Sequence, residues 1–246
     1  MTRMTNCQAL CLVFLFLAVH KISAFAANKN AVSLENQLLQ KGYQYIIGTD
    51  EVGRGAIAGP VLSTSCCIFI NNFEGPVELI PGVNDSKELS EEERQVIFQR
   101  IMDNPAVYKF KCAERSADQI GETNILKATM ECFQESIQDI IINEEIPMDL
   151  AYAVCDGKST PKLAGGPTPI PCRPMVNADG KVYTVSLASI IAKVTRDRIM
   201  TEAHELWPQY NFHLNKGYRT RDHVERIHKY GPCSLHRMSF KALKHR

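Results

Sequence analysis

The apolar positions of this 246-residue chain change their spacing several times, and the changes divide it into elements. Short β-prone runs at 44–49, 61–70, 108–112 and 150–155, and a further one near 172–176, predict strands. Longer segments at 91–102, 124–141 and 187–206 fit helices, with shorter helices after Thr220. Ser90 with Glu93 forms a capping box that opens the first of these helices. Early strands followed by alternating helix and strand give an α/β layout. The first 24 residues are different material. A stretch from Ala9 to Val19 is apolar all round rather than in a stripe, and is too short for the roughly 20 residues that span a bilayer. Ile22-Ser23-Ala24 closes it with small residues, as a signal-like leader would end. The organisation expected is therefore a leader at 1–24, a transit or flexible segment at 25–40, and a single domain over 41–246, with no stable membrane anchor.

Composition refines this division. An apolar content of 45% supplies a core. The loop 159–171 is rich in Pro and Gly but too short to separate domains. Nine cysteines are too few for a disulfide scaffold in a chain this long, and two of them, Cys7 and Cys11, fall in the leader. With no Cys-x-x-Cys pair, a structural zinc site is not expected. The remaining cysteines suit a reducing destination, whereas the leader suits the secretory route. A two-step import reconciles the two. Ser23-Ala24-Phe25-Ala26 resembles the junction in leaders of algae with complex plastids, and residues 25–34 lack acids, as a transit piece would. An organelle reached through the secretory route is the expected location. Secretion or retention in the endoplasmic reticulum is the alternative, or cytoplasm and nucleus if the leader is not functional. The net charge of +1 hides an asymmetry, since nine Lys or Arg face two acids from Lys216 to Arg246. Positive charge gathered at one end reads as a phosphate-facing surface.

The candidate chemistry starts at Asp50-Glu51-Val52-Gly53-Arg54-Gly55. The apolar run before it places Asp50 and Glu51 where a strand stops. Neighbouring side chains on a strand point to opposite faces, so both acids serve one site only if the backbone bends, which Gly53 and Gly55 permit. Crowded carboxylates repel unless a cation sits between them, and oxygen-only ligands suit Mg²⁺ or Mn²⁺ and hence phosphate chemistry. Asp156 follows the apolar run 150–155 in the same manner. Asp179, in Asn177-Ala178-Asp179-Gly180, reads by itself as an Asx turn. Lys87 and Lys193 read equally as solvated or phosphate-side cations. Arg196 and Asp197, in the middle of a helix, read as structural ion-pair partners. No Ser-His-Asp or Cys-His arrangement competes for the chemistry.

The residues Asp50-Glu51-Val52-Gly53-Arg54-Gly55-Ala56-Ile57-Ala58-Gly59-Pro60-Val61 closely resemble the signature of the type 2 ribonucleases H, the ribonuclease HII family. Further blocks follow in that family's order: Asn84-Asp85-Ser86-Lys87-Glu88-Leu89-Ser90, Asn124-Ile125-Leu126-Lys127-Ala128-Thr129-Met130, Asp156-Gly157-Lys158, Asp179 with the run from Ser186 to Asp197, Lys216-Gly217-Tyr218 and His236-Arg237-Met238-Ser239-Phe240. The resemblance departs at Asn215, where the family often has His, and at Arg219, where Gly or Pro is usual. It implies an α/β ribonuclease H-like fold, with a central mixed sheet flanked by helices and a small helical C-terminal portion. It implies that Asp50, Glu51, Asp156 and Asp179 are catalytic and hold Mg²⁺ or Mn²⁺, with two ions during catalysis. It assigns Gly53, Arg54, Gly55 and Tyr218 to the RNA–DNA junction and Asn84, Ser86, Lys87 and Lys193 to substrate phosphates. The implied partners are RNA–DNA hybrid and DNA duplex containing ribonucleotides, acted on by a monomer, with a sliding clamp as a further partner. The implied reaction is endonucleolytic cleavage on the 5′ side of a ribonucleotide, leaving 3′-hydroxyl and 5′-phosphate ends. Three rivals are weaker. A silent nucleic-acid-binding module would not need four acids. A glycoside hydrolase would offer more stacking aromatics than one Trp. Within the ribonucleases H, Arg54 fits HII better than HIII.

Overall fold

The computed structural model describes residues 33–69, 79–163 and 170–240. Five strands make one sheet: β1 (Tyr45–Val52), β2 (Val61–Ile68), β3 (Tyr108–Arg115), β4 (Ala151–Asp156) and β5 (Cys172–Met175), in the order β3-β2-β1-β4-β5. β2 pairs antiparallel with both β1 and β3, whereas β1–β4 and β4–β5 are parallel, so the sheet is mixed about a central β1. The helices are α1 (Ser33–Gln40), α2 (Glu91–Met102), α3 (Ala117–Glu122), α4 (Ile125–Asn143), α5 (Tyr183–Leu206), α6 (Phe212–Asn215) and α7 (Arg221–Tyr230).

The period of two along the central strands feeds two helix layers. Ile47 of β1 packs with Phe133, Ile137 and Ile140 of α4. Its neighbour Ile46 faces the other way, onto Val182 and Val185 at the start of α5. On β2, Cys66 joins Leu187, Ile190 and Ile191 of α5. All eight residues of β2 are buried, as a strand covered on both faces requires. Gly48 lets α5 come close, because a Cβ there would lie 2.2 Å from the Thr184 carbonyl carbon. The long helix α5 is thereby pressed against the strand that carries Asp50. A small helical portion follows it, where Tyr210, Phe212 and Ile227 pack with Ile57, Ala58 and Met200.

Three elements differ from the sequence expectation. β1 does not stop before Asp50 but continues through Val52, pairing Asp50 with Thr64 and Glu51 with Ser63 of β2. What stops there is the parallel pairing with β4, whose last rung is Thr49 with Cys155. The acids therefore lie on a strand with one flank open. Helix α5 begins at Tyr183, four residues ahead of the expected 187, because its first turn is itself buried on the sheet. Residues 33–40, expected to belong to a transit or flexible segment, form α1, whose Leu38 is buried against Ile46, Val182 and Val185. The remainder of that segment and the leader at 1–24 lie outside the described residues. Among the described residues, no helix is long and apolar enough to cross a membrane.

Candidate active site

Asp50 and Glu51 on β1 and Asp156 at the end of β4 each offer a carboxylate oxygen, and these atoms all lie within 4.8 Å of one another. Adjacent strand residues reach one site without the expected backbone bend. Asp50 lies on the α5 face, where Ser189 bonds it, and the longer Glu51 side chain still brings its carboxylate within that 4.8 Å distance. Asp50 is buried, and one of its oxygens accepts the Glu51 N–H at 2.7 Å. Burial raises its pKa well above the ordinary value, the charges of Glu51 and Asp156 push the same way, and a bond from Ser189 opposes them. Burial also raises Glu51, against the pull of Arg54, whose guanidinium lies 3.4 Å away. Asp156 is raised by burial and by Asp179, although its Oδ1 accepts the Ala178 N–H at 2.7 Å. Burial raises all three carboxyls and neighbouring acids raise them further, so this is a site in which a bound cation relieves repulsion. Their all-oxygen donor set fits Mg²⁺ or Mn²⁺.

Asp179 stands beside this cluster rather than within it. Its turn is held by Asn177 in the left-handed region and by the Ser186 hydroxyl, which donates to the Asp179 carbonyl at 2.5 Å. Its buried carboxylate bonds the Lys87 ammonium at 2.8 Å. Partial burial pulls the Lys87 pKa down, but the bond to Asp179 and the fields of Asp85 and Asp50 outweigh this, so it is raised. Ser86 reaches the site through Ser189: the two hydroxyls are 2.7 Å apart, and Ser189 also bonds Asp50. Asn84 is exposed and donates to Glu88 at 2.7 Å. Lys193 is held by Asp197 at 2.7 Å.

The turn after the acids is built on a buried cation. Gly53 has φ +83°, and a Cβ on it would lie 2.1 Å from Nε of Arg196. Nothing stands within 4 Å of where a Gly55 Cβ would be. Arg196 is not an ion-pair partner of Asp197, as its place in the sequence suggested. It donates to the carbonyls of Pro60, Lys216 and Ala58, and its guanidinium lies 5.4 Å from the centroid of the Tyr218 ring. Asp197 takes Lys193 instead, one helical turn away. Arg237 is likewise buried and donates to the carbonyls of Gly59 and Arg54. The Gly217 carbonyl accepts from the N–H groups of Ile57 and Ala58, so the Tyr218 segment is stitched to the end of the acidic turn.

The ribonuclease HII family profile matches residues 47–243 of the chain. A ribonuclease HII of Caldanaerobacter subterraneus subsp. tengcongensis is 39% identical over 84% of this chain and 78% of its own length. One from Chlamydia pneumoniae is 36% identical over 87% of this chain and 91% of its own. The chain belongs to the ribonuclease HII family. It is a type 2 ribonuclease H, an endonuclease acting on RNA–DNA hybrids. The fold agrees. The ribonuclease HII of Archaeoglobus fulgidus, solved in complex with PCNA, superposes with a TM-score of 0.59 at 22% identity, covering 80% of this chain and 95% of that one. Bst-RNase HIII in complex with Mn²⁺ gives a TM-score of 0.64 at 19% identity, covering 84% of this chain and 70% of its own.

Within the ribonuclease HII framework, Asn215 has a visible task. Its side chain donates to the Tyr210 carbonyl at 2.7 Å and accepts the Gly217 N–H at 2.8 Å, closing the turn before Tyr218. Sequence reasoning named neither Ser189 nor Arg237 as part of the site, and misread Arg196. Ser189 lies three residues after Ser186 and four before Lys193, and this polar stripe along the helix was the available signal.

Proposed function

We propose that this ribonuclease HII cuts on the 5′ side of a ribonucleotide, both within RNA–DNA hybrid and at single ribonucleotides embedded in duplex DNA, leaving 3′-hydroxyl and 5′-phosphate ends. Ribonucleotide and primer removal during DNA replication and repair would be its role. The observation that carries the reading is the convergence of three carboxylates beside a glycine turn that leaves Gly55 open. Asp50, Glu51, Asp156 and Asp179 would hold two Mg²⁺ or Mn²⁺ ions. When bound, such ions neutralise the carboxylates, activate water and stabilise the leaving oxygen. Gly53, Arg54 and Gly55 offer backbone to the sugar, the only part of the strand that distinguishes RNA from DNA through its 2′-hydroxyl. Tyr218 offers a ring face held against Arg196. Lys87, Asn84, Ser86 and Lys193 position phosphates and carry no sequence information. Lys87 also supplies the positive charge that Asp179 keeps beside it.

The test is a DNA duplex carrying one ribonucleotide, incubated with Mg²⁺, Mn²⁺ or EDTA. Cleavage 5′ of the ribonucleotide that EDTA abolishes is expected, and an uncut duplex alongside a cut hybrid would limit the enzyme to hybrids. Tyr218→Ala should slow cutting at a single ribonucleotide more than cutting of a long hybrid, which offers more 2′-hydroxyl contacts. Initial rates are compared at equal salt, since phosphate affinity is salt-dependent. Equal losses on both substrates would reduce Tyr218 to general positioning.

The enzyme is proposed to act as a monomer. PCNA bound to the archaeal relative makes a sliding clamp the partner to look for, by pull-down with the clamp of the same source. The leader is proposed to direct the protein to an organelle through the secretory route, a complex plastid being the candidate. A full-length fluorescent fusion that stays in the cytosol or nucleus would refute this.

A further inference from the structure

Helix α5 carries Ser186, Ser189, Lys193 and Arg196 and follows the Asp179 turn, yet its N-cap, Val182, provides no side-chain cap. The missing cap comes from α1. Oε1 of Glu35 accepts the Thr184 N–H at 3.1 Å and the Thr184 hydroxyl at 3.4 Å. Glu35 is only 2% exposed, and its Oε2 is buried with no hydrogen-bond partner among the described residues. A buried carboxyl is costly, and it is placed where unpaired N–H groups and the helix dipole favour an acceptor. Burial pushes its pKa up to about 7, against the pull of its Thr184 bonds. Ionised or protonated, Oε1 remains an acceptor.

The turn that Glu35 grips is coupled to the acids on both sides. Thr184 lies directly on Gly48, two residues before Asp50, with no space between them for a Cβ. Two residues earlier, the Val182 N–H donates to the Ala178 carbonyl at 2.8 Å, next to Asp179. Two residues later, Ser186 bonds the Asp179 carbonyl. Leu38 and Leu34 of α1 seal the same corner against Ala178, Val182 and Val185. Residues 33–40 precede the part of the chain that the family profile matches.

We infer that Glu35 is a positioning residue for the metal site: by pinning the first turn of α5 it sets Asp179 and Asp50 in register with Asp156. This rests on reading those acids as metal ligands. Three full-length variants separate positioning from mere stability. Glu35→Ala removes the acceptor. Glu35→Gln keeps an acceptor oxygen without charge. Leu38→Ala weakens the docking of α1 while leaving Glu35. Mn²⁺ binding is measured by calorimetry and as the half-saturating Mn²⁺ for hybrid cleavage, with thermal melting in EDTA alongside. Glu35→Ala is expected to weaken Mn²⁺ about 10-fold, the scale of losing an outer partner of a metal ligand. Glu35→Gln should recover most of that loss, and Leu38→Ala should lower the melting temperature without moving the Mn²⁺ dependence. If Glu35→Ala fails to fold, Glu35→Asp, one methylene shorter, takes its place. Unchanged Mn²⁺ affinity in Glu35→Ala, or equal shifts in Glu35→Ala and Leu38→Ala, overturns the inference alone. Absence of Mn²⁺ binding by the unaltered chain overturns the metal-site reading, and the inference with it.

Discussion

Asp50→Asn is expected to lose activity by more than about 100-fold, the upper end of the cost of losing even an outer-shell partner of a metal ligand, while the fold becomes more stable. The gain follows from the direction of the pKa shifts. Burial and the neighbouring acids hold Asp50 above its ordinary value, and burial does the same to Glu51 and Asp156. A carboxyl raised on folding contributes stability that is complete below its unfolded pKa, about 3.9 for Asp, and is lost as pH rises through its folded pKa. In EDTA these three groups should therefore lower the melting temperature of the unaltered enzyme as pH rises above about 4. Asp50→Asn should flatten that decline and melt higher at neutral pH, by about 2–4 °C for each kcal/mol of repulsion relieved. Saturating Mn²⁺ should stabilise the unaltered enzyme more than the variant. Near-normal turnover by Asp50→Asn would remove Asp50 from the chemistry, and identical melting with and without Mn²⁺ would remove the metal from the cluster.

The second large effect separates two glycines of one motif. Gly53→Ala should destabilise the enzyme by about 2–5 kcal/mol, combining a left-handed residue with overpacking. Its φ of +83° disfavours any Cβ, and that Cβ would collide with a buried Arg196 side chain held by three backbone carbonyls. For a chain of this size the melting temperature falls by about 2–4 °C per kcal/mol. Gly55→Ala meets nothing within 4 Å and should melt like the unaltered enzyme. If a substrate sugar occupies that open space, Gly55→Ala should still cut poorly, with single ribonucleotides affected most. Thermal melting and initial rates on both substrates decide it. Full activity in Gly55→Ala would show that the sugar does not approach there, and an unshifted melting temperature in Gly53→Ala would contradict the packing described around Arg196.

The chain by itself determined the strand runs, the capping box at Ser90 and the order of the motif blocks, because each is written in local spacing: period two, a Ser followed three residues later by Glu, acids after apolar runs. It also picked out Asp50, Glu51 and Asp156 as acids that follow apolar runs, although only Asp156 stands at a strand end, β1 running on through Val52. Only the tertiary structure decided how those acids meet. Local sequence suggested a bend at Asp50, whereas β1 continues on to Val52 beside β2 after its pairing with β4 has ended at Thr49 and Cys155, and Asp156 closes β4 next to the acids. The partners of charged residues were decided in space as well. Arg196 next to Asp197 looked like half of an ion pair, yet adjacent helix positions face about 100° apart, and the guanidinium found carbonyls far away in sequence. Glu35 carries no motif at all. Its place at the head of α5 arises from a short helix docking against a residue 149 positions away, a contact that no local pattern encodes.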